Sequence, residues 1–205
     1  MAAMIDMRVC ELLMARLCHD FAGPIAAIGN GAELLDDEDP DFVKQAATLI
    51  GDSAATASRR LQLFRFAFGF SAGAIAGPAP HLLATEYFAG GHVACEYLAA
   101  ARELEADWQR LGCNLLILAA EGLPRGGRLA IAAARGGVAV TAIGDGEGLS
   151  RELTDAMMLR ATADTLTSRT VGAYFAGLLA QRLGARLSVV REPGGFRIAA
   201  EAGAA

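Results

Sequence analysis

Leu17-Cys18-His19-Asp20-Phe21-Ala22-Gly23-Pro24 sets a His-Asp pair inside a long helical pattern and follows the histidine, five residues on, with a proline. A helix turns about 100° per residue, so Leu13, Leu17, Phe21, Ile28 and Leu35 make one apolar stripe. His19 lies about 200° from Leu17, on the opposite face. Its own stripe reads Arg16, His19, Ala22, Gly23, Ala26 and Asn30, mostly small side chains on either side of an imidazole. Another protein's backbone can approach such a surface closely. An ordinary imidazole titrates at about 6.5 and offers a nucleophilic nitrogen near neutral pH. Asp20 is placed to orient the ring or to hold its proton. A lone helical histidine is more often a solvated or core residue; the surrounding pattern is what sets this one apart.

At 205 residues the chain is long enough to bury a real core as one large domain or two small ones. Hydrophobic residues make up 54% and charged residues 20%, a globular rather than a disordered composition. The formal net charge of −5 and the lack of a basic stripe disfavour nucleic acid as a partner. Cys10, Cys18, Cys95 and Cys113 show no C-x-x-C spacing and no histidine at zinc-ligand distance. They read as buried thiols of a reducing compartment, with the cytoplasm as the expected location. Acidic Asp6 stands where a signal peptide needs positive charge, and no long uncharged apolar segment occurs, so neither export nor a membrane span is expected.

The first helix is expected from about Asp6 to Leu35, ending at the acidic run 36–39. Asp39 then caps a second helix with Pro40 at its first position, running to about Phe68. This helix carries Phe42, Leu49, Ala54, Leu61, Phe64 and Phe68, with Arg59, Arg60 and Arg65 near its end. Two long helices joined by a short turn form an antiparallel hairpin, and a second copy would complete a four-helix bundle. Residues 69–80 are rich in Gly, Ala and Pro and read as a linker. The expected domains are therefore 1–75 and 76–205. The second predicts helices at His81–Phe88, Glu103–Ala120 and Thr170–Leu183, with shorter ones before the last. Its expected strands are Val93–Leu98, Arg128–Ala133, Val138–Ile143 and a hairpin over Arg186–Ala200, giving an α+β domain with helices on one face of a mixed sheet.

A His-acidic-x-x-x-Pro run within a helix resembles the phosphoacceptor motif of two-component sensor kinases. More closely, LCHDFAGPIAAIGNGAELL, from Leu17 to Leu35, resembles the ChpT-type histidine phosphotransferases of alphaproteobacterial phosphorelays. That resemblance implies a dimeric hairpin domain bearing the phosphorylated histidine, followed by a degenerate histidine-kinase ATPase-like α/β sandwich. It also implies attack through the outer imidazole nitrogen. Sensor kinases that double as phosphatases carry Thr or Asn four residues after the histidine, where this chain has Gly23.

In the kinase ATPase family a helix reads N-L-L-x-N-A-x-K, and its second Asn holds Mg²⁺. The matching run here is Asn114-Leu115-Leu116-Ile117-Leu118-Ala119-Ala120-Glu121, with Leu118 for the metal-binding Asn and Glu121 for the Lys. An aliphatic side chain cannot ligate a hard cation. The adenine-reading D-x-G-x-G becomes Gly144-Asp145-Gly146-Glu147-Gly148, which also reads as a tight turn after a strand. Of the last Gly-rich phosphate loop only Gly172 and Gly177 survive, with Ala173, Tyr174 and Phe175 between them.

The resulting expectation is a homodimeric phosphorelay carrier. His19 would take a phosphoryl group from the receiver domain of a hybrid histidine kinase and pass it to response regulators, with Asp20 beside it. No cofactor of its own is expected, since the receiver would bring Mg²⁺. Arg16, Ala22, Gly23, Ala26, Leu61, Phe64 and Arg65 are the candidate partner contacts, although the spacing of Phe64 favours core. The rivals are an autophosphorylating kinase and a non-catalytic dimerisation scaffold.

Overall fold

The computed structural model describes residues 6–69, 77–146 and 148–203. Helix α1 spans Met7–Glu33, capped by the Asp6 carboxylate on the Arg8 amide, and ends in a 3-10 turn at Leu34–Asp36. The expected helix thus gives up its last residues to a tighter turn that delivers the chain to Asp39. There the Asp39 side chain caps α2, Pro40–Phe68, by accepting from the Asp41 amide. Proline at the first helical position costs no hydrogen bond, which is why the sequence marks this boundary so sharply. The expected domain boundary near residue 75, and most of the linker, lie outside the described residues.

The second half begins with α3, Pro80–Phe88, and strand β1, Val93–Tyr97. The helix expected over Glu103–Ala120 is α5, Ala106–Glu121, which starts three residues late and is preceded by a short helix that the sequence did not suggest, α4, Ala99–Arg102. Between the two helices the Gln109 side-chain amide donates to the carbonyls of Arg102 and Leu104, where no helical ladder runs. Strands β2, Gly127–Ala134, and β3, Gly137–Ile143, follow. Then come α6, Arg151–Met157, a 3-10 turn at Ala163–Thr165, and α7, Val171–Arg182. Strands β4, Ala185–Glu192, and β5, Gly195–Ala202, close the chain.

The five strands are ordered β1-β2-β3-β5-β4. Only β1 and β2 run parallel, joined by the crossover through α4 and α5; every other pair is antiparallel. Alternation sends Leu129, Ile131, Val138, Val140, Phe196 and Ile198 into the core beneath the helices. Leu111, Leu115 and Leu116 of α5 meet them with no exposed surface.

This core does not stop at the hairpin. Val9 of α1 and Leu63, Phe66 and Ala67 of α2 belong to the same buried cluster as the sheet residues. Buried Arg110 and Asn114 of α5 both donate to the Ala67 carbonyl, at 3.2 and 2.8 Å. The apolar stripe of α2 therefore divides. Its C-terminal end is core, while Phe42, Leu49 and Leu61 stay exposed.

The thiols depart from expectation. Cys113 is buried and Cys95 half-buried, but Cys10 and Cys18 are exposed on α1, because they face away from the residues that α1 packs against α2 and the sheet domain. Among the described residues no helix is long and apolar enough to cross a membrane.

Candidate functional site

His19 sits midway along α1, with its side chain 84% exposed. Its Nδ1 lies 3.4 Å from Asp20 Oδ1. A carboxylate can only accept, so a hydrogen bond across this gap requires the hydrogen on Nδ1, which leaves the outer nitrogen, Nε2, with its lone pair.

Asp20 is itself held from two sides. Arg16 Nε, one helical turn back, donates to Asp20 Oδ2 at 3.1 Å. The Asp20 carbonyl accepts from the Arg60 guanidinium of α2. The reason lies in the sequence: the amide that would ordinarily bond this carbonyl belongs to residue 24, and Pro24 has none. A proline in the helix interior thus opens an acceptor beside the histidine, and the neighbouring helix fills it.

The remaining wall comes from the second half of the chain. Arg16, only 20% exposed, also donates to Glu121 Oε1 at 3.0 Å and to the Arg169 carbonyl at 3.2 Å. Burial opposes the Arg16 charge, but the Glu121 and Asp20 carboxylates outweigh it and hold the pKa above its ordinary value. Together Arg16, His19, Asp20, Glu121, Ser168 and Arg169 line a cleft of about 310 Å³. Just behind it, burial pushes the Tyr87 hydroxyl above its ordinary range, and the ring packs on Phe64 at 5.9 Å between centroids.

Of the other sequence candidates, Ala22, Gly23 and Ala26 are exposed on the His19 face, and a Cβ built on Gly23 meets nothing. Leu61, half exposed, and exposed Arg65 are on the surface of α2. Phe64 offers a partner no surface: it is buried edge-on against Phe21 and Phe68. Arg16 is not a solvated cation, since all three of its guanidinium nitrogens are engaged within the protein.

Sequence reading missed Arg60, Glu121, Ser168 and Arg169. Pro24 signals an acceptor in need of a donor, but which arginine supplies it depends on how the hairpin packs. Glu121 stood out only as a missing lysine.

The nucleotide-motif positions are spent on packing. Leu118 is buried in the core. The run 172–177 is not a loop at all but lies inside α7, with Phe175 against Phe68 at 5.5 Å and under the Arg110 guanidinium. Gly146 passes so close to α5 that a Cβ would meet the Gly122 carbonyl at 2.0 Å, so its glycine is required by the turn. Asp145 lines a neighbouring cleft of about 570 Å³ with Arg125 and Arg151, and Glu121 and Arg169 stand between it and the His19 cleft as walls of both.

The chain is 39% identical to the protein phosphotransferase ChpT of Brucella abortus (strain 2308) over 124 residues. That match spans 58% of this chain and 58% of the relative's length. A solved structure of a bacterial phosphotransferase superposes with a TM-score of 0.81 at 28% identity, over 98% of both chains. The family model for the histidine phosphotransferase C-terminal domain matches residues 81–195. More than half of the chain fits that model, and the protein belongs to the histidine phosphotransferase C-terminal domain family.

Proposed function

We propose that the protein is a phosphorelay carrier whose His19 takes a phosphoryl group from the aspartyl phosphate of a hybrid kinase's receiver domain and passes it to a response-regulator aspartate. The observation that carries this reading is the exposed imidazole with Asp20 at Nδ1. The Nε2 lone pair attacks phosphorus; an N–P bond forms as the P–O bond to the donor aspartate breaks, and the donor carboxylate leaves with the electron pair. Positive charge developing on the ring is shared with Asp20 through the Nδ1 hydrogen. The second transfer runs the same chemistry toward the acceptor's carboxylate. Mg²⁺ belongs to the receiver, and this chain contributes the nucleophile and its positioning.

The small residues Ala22, Gly23 and Ala26 leave room for a receiver to close over His19, while Leu61 and Arg65 extend the docking surface along α2. Exposed apolar residues along the hairpin, among them Ile25, Phe42 and Leu49, support pairing with a second copy as a four-helix bundle. The sheet domain is read as an ATPase-like scaffold stripped of nucleotide chemistry, its metal-binding position now the core residue Leu118.

A phosphorylated receiver domain, incubated with the wild type and with His19→Ala, tests the reading. Transfer to the wild type and none to the variant is expected. Equal labelling of both contradicts it.

A further inference from the structure

Arg16 and Asp20 form an i,i+4 pair with the cation nearer the helix N-terminus, the less favourable order. On an exposed helix such a pair contributes little and does not fix a carboxylate. Here it does not stand alone. Glu121, the last residue of α5, takes one terminal nitrogen of Arg16, and the Arg169 carbonyl takes the other. The guanidinium is thereby locked in plane and in rotamer, with its Nε left to Asp20 Oδ2. Asp20 then has only Oδ1 to present to His19.

The charge at position 121 is what makes this possible. A lysine there, as the kinase ATPase pattern carries, would set a second cation against Arg16 and drive it off. Glu121 does the reverse.

We propose that Glu121 is a positioning residue for phosphoryl transfer: acting across the two halves of the chain through Arg16, it holds the Asp20 carboxylate at His19 Nδ1 and so keeps Nε2 free to attack. This rests on the phosphotransfer reading above and assigns part of it to the second domain. The sheet domain is then a component of the reactive site as well as a surface beside it.

The test reads the ring itself. Nitrogen-15 NMR of His19 in the full, unphosphorylated chain reports which ring nitrogen carries the hydrogen, for the wild type, Glu121→Ala, Glu121→Gln and Asp20→Ala. In Glu121→Ala the shifts are expected to move toward those of Asp20→Ala, and single-turnover transfer from a phosphorylated receiver to slow by roughly threefold to tenfold. Glu121→Gln, which keeps an acceptor oxygen and the side-chain volume, is expected to fall between that variant and the wild type. Ring nitrogens that stay at their wild-type shifts in both Glu121 variants, or transfer that keeps its wild-type rate in both, overturn the proposal. The tautomer measurement needs no phosphate, so it judges Glu121 separately from the carrier reading, which is judged by labelling of the wild type and of His19→Ala.

Discussion

Asp20 receives a donor at each end: Arg16 on its carboxylate and Arg60 on the carbonyl that Pro24 leaves without an amide partner. This pairing predicts a coupled energetic effect. Arg60→Ala strands a part-buried carbonyl and should cost about 1–3 kcal/mol in urea unfolding. Pro24→Ala restores an amide one turn beyond Asp20, so the same Arg60→Ala change made in that background should cost markedly less. Equal costs in the two backgrounds would show that the proline and the arginine are unrelated. The thiols supply a second prediction. Desolvation pushes Cys95 up to about 12, and burial raises Cys113 further. Since only a thiolate alkylates readily, stability toward iodoacetamide should persist at both positions through mildly alkaline pH, while exposed Cys10 and Cys18 react. Mass spectrometry after native and unfolded labelling checks it; Cys113 modified in the folded protein would contradict the packing around α5.

The hairpin was legible to within a residue or two, because Asp6, Asp39 and Pro40 are chemical stops and starts and the apolar spacing between them is helical. The strands were legible for a similar reason: Gly136-Gly137 and Pro193-Gly194-Gly195 punctuate alternating runs. The short α4 and the late start of α5 were not, since no proline or glycine marks the junction and it is the Gln109 side chain, reaching back from α5, that satisfies it. At the site, His19 and Asp20 stood out from their pattern, but Arg60, Ser168 and Arg169 became part of it only when distant elements met. The proposed dimer gives the apolar stripe of α1 a measurable role. Burying a leucine is worth roughly 1.5–3 kcal/mol, so a carboxylate at Leu17 should split the dimer. Light scattering on Leu17→Asp is expected to give half the wild-type mass with helical content kept. A variant of unchanged mass would remove Leu17 from the interface.

Across the whole molecule one core joins the hairpin to the sheet, through Val9, Leu63, Phe66 and Ala67. An isolated hairpin fragment would expose all four, and is expected to unfold at lower temperature than the full chain by circular dichroism. The same continuity ties α7 to α2 through Phe175 and Phe68, using for packing a stretch that phosphate binding would need open. Calorimetric titration with Mg-ATP at millimolar nucleotide is therefore expected to show no saturable heat, and micromolar binding would return the kinase alternative to consideration. The proposed carrier role comes down to one ring nitrogen of one histidine. After transfer from a phosphorylated receiver, phosphorus-31 and nitrogen-15 NMR of the labelled chain should find a single acid-labile phosphoryl group, bonded to Nε2 of His19. Phosphate on Nδ1, on Asp20, or on any residue other than His19 would contradict the account.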